Sequence, residues 1–172
     1  MQTSKIEKTV RILTCTSIII IILHLILPKY IVFNKTPSIP IGIYLLLPYD
    51  NEKDSLNVGD IVIFDMPKDI EKFVKEREYT SNDTNTFIKT VGAIEGMSIE
   101  VREEKLFIDG EIKGEVALTD TLNRELPQIN NFIVSKGHFF PLGTHFHSFD
   151  GRYYGEIDKR TIRNKAKLLI GF

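Results

Sequence analysis

Sixteen almost wholly apolar residues, Ile12–Leu27, constrain this chain more than any other segment, and they include the unbroken run Ile18-Ile19-Ile20-Ile21-Ile22. A helix that is apolar on every face cannot be buried inside a domain this small, so the segment calls for an apolar medium outside the domain. As a helix it spans about 24 Å, a little short of the ~30 Å hydrocarbon layer of a bilayer. Val10 before it, and Ile31-Val32-Phe33 beyond Pro28, extend the apolar zone, so the expected transmembrane anchor covers residues 12–33. Lys5, Lys8 and Arg11 precede the run and only Glu7 opposes them. The excess of basic residues predicts a cytoplasmic tail at 1–11 and an extracytoplasmic (periplasmic) domain at 34–172. A cleaved secretory segment has the same basic start and apolar middle, but this run ends in Leu27-Pro28-Lys29-Tyr30, without the small residues of a cleavage site.

The remainder is long enough for one modest domain. A formal net charge of -1 gives no reason to expect a nucleic-acid partner. Cys15 is the sole cysteine, so no internal disulfide forms.

From Asn34 onward the pattern is one of short strands. Pro37, Pro40, Gly42 and Pro48 punctuate an apolar stretch, Ile39 to Leu47, which fits a turn followed by a buried strand. Val58-Gly59-Asp60 turns into the apolar run Ile61 to Phe64. Pro67 to Tyr79 carries Ile70, Phe73 and Val74 at helical spacing, with Asp65 as a start signal, and predicts one amphipathic surface helix. Phe87 to Ile94 and Ile99 to Arg102 are strand-like, and Asp109-Gly110 predicts a hairpin between Lys105–Ile108 and Glu111–Lys113. Phe132 to Val134, His138 to Phe140 and His145 to Phe149 are further short β runs, separated from the hairpin by a polar connector at Asp120 to Asn130. The expected fold is mainly β: a largely antiparallel domain with one short surface helix, behind a single N-terminal transmembrane helix.

Two residues stand out as chemistry. Ser38 lies in Thr36-Pro37-Ser38-Ile39-Pro40, where prolines restrict the backbone around a hydroxyl just beyond the anchor. Lys89 lies in the apolar strand Phe87-Ile88-Lys89-Thr90-Val91. Each has a bland alternative: a loop serine, and an edge-strand lysine that discourages aggregation. A serine nucleophile needs a base, and a desolvated lysine amine can be one. His145-x-His147 places two imidazoles on one strand face, but no third ligand has matching spacing, so no metal site is expected.

The order of these segments resembles signal peptidase I. Ser38 follows the anchor, Gly59-Asp60-Ile61-Val62 matches a G-D-x-V strand motif, and Phe87 to Gly96 matches the lysine box. Ile108-Asp109-Gly110 matches a hairpin motif, and Ser148-Phe149-Asp150-Gly151-Arg152-Tyr153-Tyr154-Gly155 matches the last box. Thr36-Pro37-Ser38-Ile39-Pro40, the Pro67 to Tyr79 segment with Arg77 and Tyr79, and the connector ending Arg124-Glu125-Leu126-Pro127 are similar to the conjugative-transfer (TraF-type) signal peptidases. The pattern departs at Thr90, Met97, Gly151 and Ile39, and lacks the cysteines many relatives carry near the helix.

The resemblance implies a membrane-anchored serine endopeptidase without a cofactor, acting on signal or leader peptides of exported precursors, with a pilin-like precursor for the conjugative subtype. Ser38 is then the nucleophile and Lys89 the general base. The Ser38 backbone N–H and the Thr36 hydroxyl form the oxyanion hole. The Ser148 hydroxyl holds the lysine amine, and Asp150 and Arg152 form a structural ion pair behind the site, against the bland reading of an exposed pair. A general housekeeping signal peptidase and a catalytically silent, membrane-tethered binding module are the rival functions.

Overall fold

The computed structural model describes residues 2–172, without the side chains of residues 2–5, 26 and 28. Met1 and the Lys5 side chain, both part of the expected basic tail, lie outside the described residues.

The first helix, α1 (Gln2–Ile26), runs through the boundary expected between tail and anchor, so 2–11 and the apolar run form one continuous helix. Ile18 to Leu23 are each about half exposed, on all sides of α1. Among the described residues, no helix is long and apolar enough to cross a membrane. Thr14, Cys15, Thr16, Ser17 and His24 interrupt the apolar run, and the Thr14 and Thr16 hydroxyls donate back to the carbonyls of Val10 and Ile12. The expected anchor at 12–33 is also too long. Pro28 has no N–H with which to continue a helix, and a single 3-10 turn at Leu27–Lys29 follows α1. Ile31–Asn34 is then a strand, β1, which pairs along its length with the strand that follows it.

After β1 the chain forms β2 (Gly42–Pro48), β3 (Ile61–Asp65), α2 (Lys68–Glu76) and β4 (Thr86–Ile94). Next come β5 (Ser98–Arg102), β6 (Lys105–Ile108), β7 (Glu111–Glu115), β8 (Phe132–Ile133) and β9 (His138–Leu142). The short helix α3 (Gly151–Tyr154), β10 (Ile157–Asp158) and β11 (Ile162–Gly171) complete the domain. Two sheets result, both antiparallel: a seven-stranded one in the order β1-β2-β11-β3-β4-β9-β10, and a four-stranded one in the order β7-β6-β5-β8.

The β6–β7 hairpin turns on Asp109 and Gly110, both at positive φ (48° and 79°), as the Asp-Gly pair predicts. The helix α2 is shorter than the expected 67–79 because it ends at Glu76, with Arg77 as its C-cap and Glu78 at positive φ (58°); at its start Asp65 belongs to β3 and pairs with Arg163 instead of capping. His145 to Phe149 is not a strand. The Ser148 N–H bonds the His145 carbonyl 3.1 Å away, and both of those residues turn their carbonyls toward Arg152, so the segment folds as a turn. Conversely β11, which the sequence reading passed over, lies between β2 and β3 in the middle of the large sheet.

Burial follows the strand alternation. Phe139 packs with Val62, Phe64, Val91 and the inner face of α2, Ile70 and Val74. Its neighbour Phe140 points to the other side, into a cluster with Ile99, Leu106, Ile108 and Tyr153 that joins the two sheets. The strand β4 therefore has β3 on one side and β9 on the other, and its side chains lie between packed layers.

Candidate active site

Lys89 sits in the middle of β4, opposite Val62 of β3. The strand β9 pairs with β4 only from Thr90 onward, so at Lys89 the backbone is bonded to β3 alone, and it is the burial of the side chain that rules out an exposed edge-strand charge. Only 4% of the residue is exposed. Burial favours the uncharged amine, and it lowers the Lys89 pKa to about 8; Asp150 works against that shift and Arg152 adds to it. The Lys89 Nζ donates to Ser148 Oγ at 3.0 Å, and lies 5.3 Å from the centre of the Phe87 ring.

Ser148 owes its place to the turn that follows β9. Gly143, just past the end of β9, has no room for a side chain: a Cβ there would lie 2.0 Å from Ser148 Oγ and 2.7 Å from the Ser38 carbonyl oxygen. Its N–H donates to Asp150 Oδ2 at 2.7 Å. Asp150 is 0% exposed and Arg152 is 3% exposed. The guanidinium grips both carboxylate oxygens, Nε to Oδ1 at 2.9 Å and Nη2 to Oδ2 at 2.8 Å. Its other hydrogens go to the carbonyls of Glu115, His145 and Ser148. Such a pair is a buried bidentate clamp, not an exposed one, and both Nη1 and Nη2 find carbonyl partners besides the carboxylate. It ties the second sheet, through Glu115, to the turn that carries Ser148. Gly151, one of the departures from the family pattern, lies where a Cβ would meet the Pro141 carbonyl oxygen at 2.6 Å, so close packing requires glycine there.

Ser38 comes from the other side of the cleft, on the loop between β1 and β2. Its carbonyl accepts the Thr144 N–H at 2.7 Å, which ties the loop to the Gly143 turn. Thr36 Oγ1 and Ser38 Oγ are 3.3 Å apart. Asn34 spans the base of this loop, 4% exposed at the end of β1. Neither Asn34 nor Gly143 stands out in the sequence, because an amide before the Pro37-Ser38-Ile39-Pro40 loop is a common turn signal and glycine carries no chemistry of its own.

Ser38, Lys89, Thr36 and Ser148 all line one cleft of about 930 Å³. Tyr79 and Asp120 form part of its far wall. There the Tyr79 hydroxyl donates to Asp120 Oδ2 at 2.6 Å, Arg124 Nε donates to the same oxygen at 2.7 Å, and Arg77 Nη1 reaches it at 3.4 Å. Burial resists the Asp120 charge, but the bonds from Tyr79 and Arg124 hold its carboxyl well below the usual range. His145 and His147 stand at the mouth, with ring centres 5.6 Å apart. Among the described residues, no group of three or more His, Cys, Asp or Glu side chains is placed to hold a metal ion.

Ser38 and the buried Lys89 amine line one cleft, with Ser148 Oγ bonded to that amine, a set of groups compatible with serine–lysine acyl transfer. Residues 5–170 match the family described as signal peptidase, peptidase S26, and the chain belongs to that family. It is similar to thylakoidal processing peptidase 1, chloroplastic, of Arabidopsis thaliana, with 36% identity over 110 residues, 63% of this chain. The matched stretch spans about a third (31%) of that relative's length. Among solved structures it is similar to a signal peptidase I from Enterococcus faecalis, with a TM-score of 0.40 and 20% identity, covering 68% of this chain and 98% of that one.

Proposed function

We propose that this chain is a membrane-tethered serine endopeptidase that removes signal or leader peptides from exported precursors, with Ser38 as nucleophile and Lys89 as general base. The observation that carries the reading is the Lys89 amine: buried, with a lowered pKa, bonded to Ser148, and opening on the same cleft as Ser38. Neutral Lys89 removes the Ser38 proton as Oγ attacks the scissile carbonyl. The amine then protonates the leaving nitrogen, and water, activated in the same way, releases the acyl group. The Ser38 N–H and the Thr36 hydroxyl are the proposed donors to the tetrahedral oxyanion. The Asp150–Arg152 clamp holds the turn that bears Ser148 and so fixes the amine.

The proposed tether is α1, whose apolar side chains stand out on all sides. With Lys8 and Arg11 toward its start, it would leave 1–11 cytoplasmic and 34–172 extracytoplasmic. The proposed precursor is a pilin-like subunit of conjugative transfer. Support comes from the Thr36 to Pro40 segment and from the clamp on Asp120, where the two subtype markers Arg77-x-Tyr79 and Arg124 meet although they are far apart in sequence.

The full chain in membranes should cleave a pilin-like precursor faster than an ordinary secretory one, and Ser38→Ala should abolish cleavage of both. Alkaline carbonate washing should leave the protein in the membrane fraction. Cleavage by Ser38→Ala at the wild-type rate removes the assignment, equal rates on the two precursors remove the subtype, and release by carbonate removes the tether.

A further inference from the structure

Asn34 does more than occupy the end of β1. Its side-chain amide reaches five groups of the following loop. Oδ1 accepts the Thr36 hydroxyl at 2.9 Å and the Thr36 N–H at 3.2 Å. Nδ2 donates toward the carbonyls of Thr36, Ile39 and Pro40 at 2.8, 3.1 and 3.1 Å. The orientation of the amide follows from these partners. Turned over, its oxygen would face three carbonyl oxygens and its nitrogen would face an N–H.

Counting hydrogens then fixes the resting state. A hydroxyl has one hydrogen to give. Thr36 gives its hydrogen to Asn34, so in the 3.3 Å contact between Thr36 and Ser38 the donor is Ser38. A chain of donors runs from Ser38 through Thr36 to Asn34. When negative charge builds on the substrate oxygen, the Thr36 hydrogen must swing from Asn34 toward it. That rotation about the Cβ–Oγ1 bond moves no heavy atom, because Asn34 still holds the Thr36 N–H and the three loop carbonyls. A donor kept in place before the reaction avoids reorganisation during it.

We propose that Asn34 is the positioning residue of the oxyanion hole: its amide oxygen orients the Thr36 hydroxyl beside Ser38, and its amide nitrogen locks the loop that carries both. The inference rests on the reading of Ser38 and Thr36 given above. It concerns how the hole is built, and no contact between Asn34 and substrate is needed.

The test is a double-mutant cycle in the full chain, measured as kcat and KM on an extended, alanine-rich fluorogenic peptide. Thr36→Val should lower kcat on the order of 100-fold, as loss of one oxyanion donor does elsewhere. Asn34→Ala should lower kcat roughly 10-fold or more and change KM about 3-fold or less, since the donor acts in the transition state. In the Thr36→Val background, Asn34→Ala should cost less than about 3-fold, because its effect runs through a hydroxyl already absent. Multiplying losses, or a loss confined to KM, would overturn the proposal. Asn34→Ser covers the case in which the alanine variant does not fold. Its hydroxyl can still donate to one loop carbonyl, whereas an aspartate would set a carboxylate oxygen against all three. The loss in kcat for Asn34→Ser should likewise shrink to less than about 3-fold beside Thr36→Val, and a loss that persists there overturns the proposal as well. Ser38→Ala is measured alongside. An active Ser38→Ala enzyme defeats the assignment of the site itself; an inactive one with multiplying Asn34 and Thr36 losses defeats only the role of Asn34.

Discussion

The lysine side and the serine side of the cleft are held in place by different balances of burial and hydrogen bonding. Lys89 stands on β4 beside β3, almost wholly buried, with one hydrogen bond from its amine to Ser148. Apolar burial positions it and also tunes it, since the same exclusion of water that fixes the side chain lowers its pKa. Ser38 stands on a loop whose next residue, Ile39, is buried against Tyr44 and Ala166, and hydrogen bonds hold the rest: five groups bonded by Asn34, and the Thr144 N–H on the Ser38 carbonyl. The difference suits the two tasks proposed for them. A lysine base must be desolvated to be neutral near neutral pH, whereas a nucleophile must be reachable by an extended substrate.

If burial sets the chemistry of the lysine side, the largest effect should come from a side chain that keeps the charge and cannot lose it. Lys89→Arg should reduce cleavage about 10⁴-fold or more, because guanidinium does not deprotonate at workable pH. In the wild type the rate should rise about tenfold per pH unit up to pH about 8, where Lys89 loses its proton, and level off above it. Cleavage rates of both proteins from pH 6 to 10 check this, and an active arginine variant with the wild-type profile would refute the base.

The seam between the two sides is Gly143, which touches both. Gly143→Ala should lower kcat on the order of 100-fold, because the new Cβ must displace Ser148, the Ser38 carbonyl or both, and displacements near 1 Å in such sites carry losses of that size. Circular dichroism should show the sheet intact. Normal kinetics would mean that the loop and turn yield without disturbing the reacting groups.

The smallest effect expected is a gain in stability. The folded-state pKa of Lys89 is about 8, below its ordinary 10.5, so between those values the unfolded chain binds a proton here that the folded one does not. Stability from this site therefore rises with pH across that window, and the full penalty applies below pH 8. Lys89→Met should then stabilise the inactive protein by on the order of 2 kcal/mol at pH 7, and by progressively less above pH 8. Denaturant unfolding at pH 7 and pH 10 measures both. A methionine variant less stable than wild type at pH 7 would mean that the Ser148 bond and the Phe87 contact outweigh burial.

Strand positions were legible where the chain alternates or turns sharply. The Asp109-Gly110 hairpin, the Ile61 to Phe64 strand and the Phe87 to Ile94 strand follow from period-two burial and from turn residues that accept positive φ. The pattern failed where the partner lies far away in sequence. In β11, Arg163, Asn164, Lys165 and Lys167 surround Ala166, so the stretch before Leu168-Leu169-Ile170 gives little apolar signal. The strand forms because β2 and β3 supply bonding edges on both sides and Asp60 meets the Lys165 amine at 2.7 Å. His145 to Phe149 alternates like a strand, yet the buried Arg152 guanidinium draws two of its carbonyls inward. β1 looked like the end of an anchor, because an apolar β-branched triplet reads the same beside a membrane helix as beside an edge strand.

By itself the sequence determined the kinds of groups available and their order along the chain. An apolar N-terminal run, a constrained serine, a lysine among apolar residues and the closing Ser148 to Gly155 segment were enough to place this chain in its family. The tertiary structure decided their state. Whether Lys89 is an exposed cation or a buried amine, whether Asp150 and Arg152 are a surface pair or a sealed clamp, and which hydrogen Thr36 gives to which oxygen all depend on neighbours brought from distant segments. Desolvation and hydrogen-bond geometry are properties of that surrounding, and no local pattern of residues specifies them.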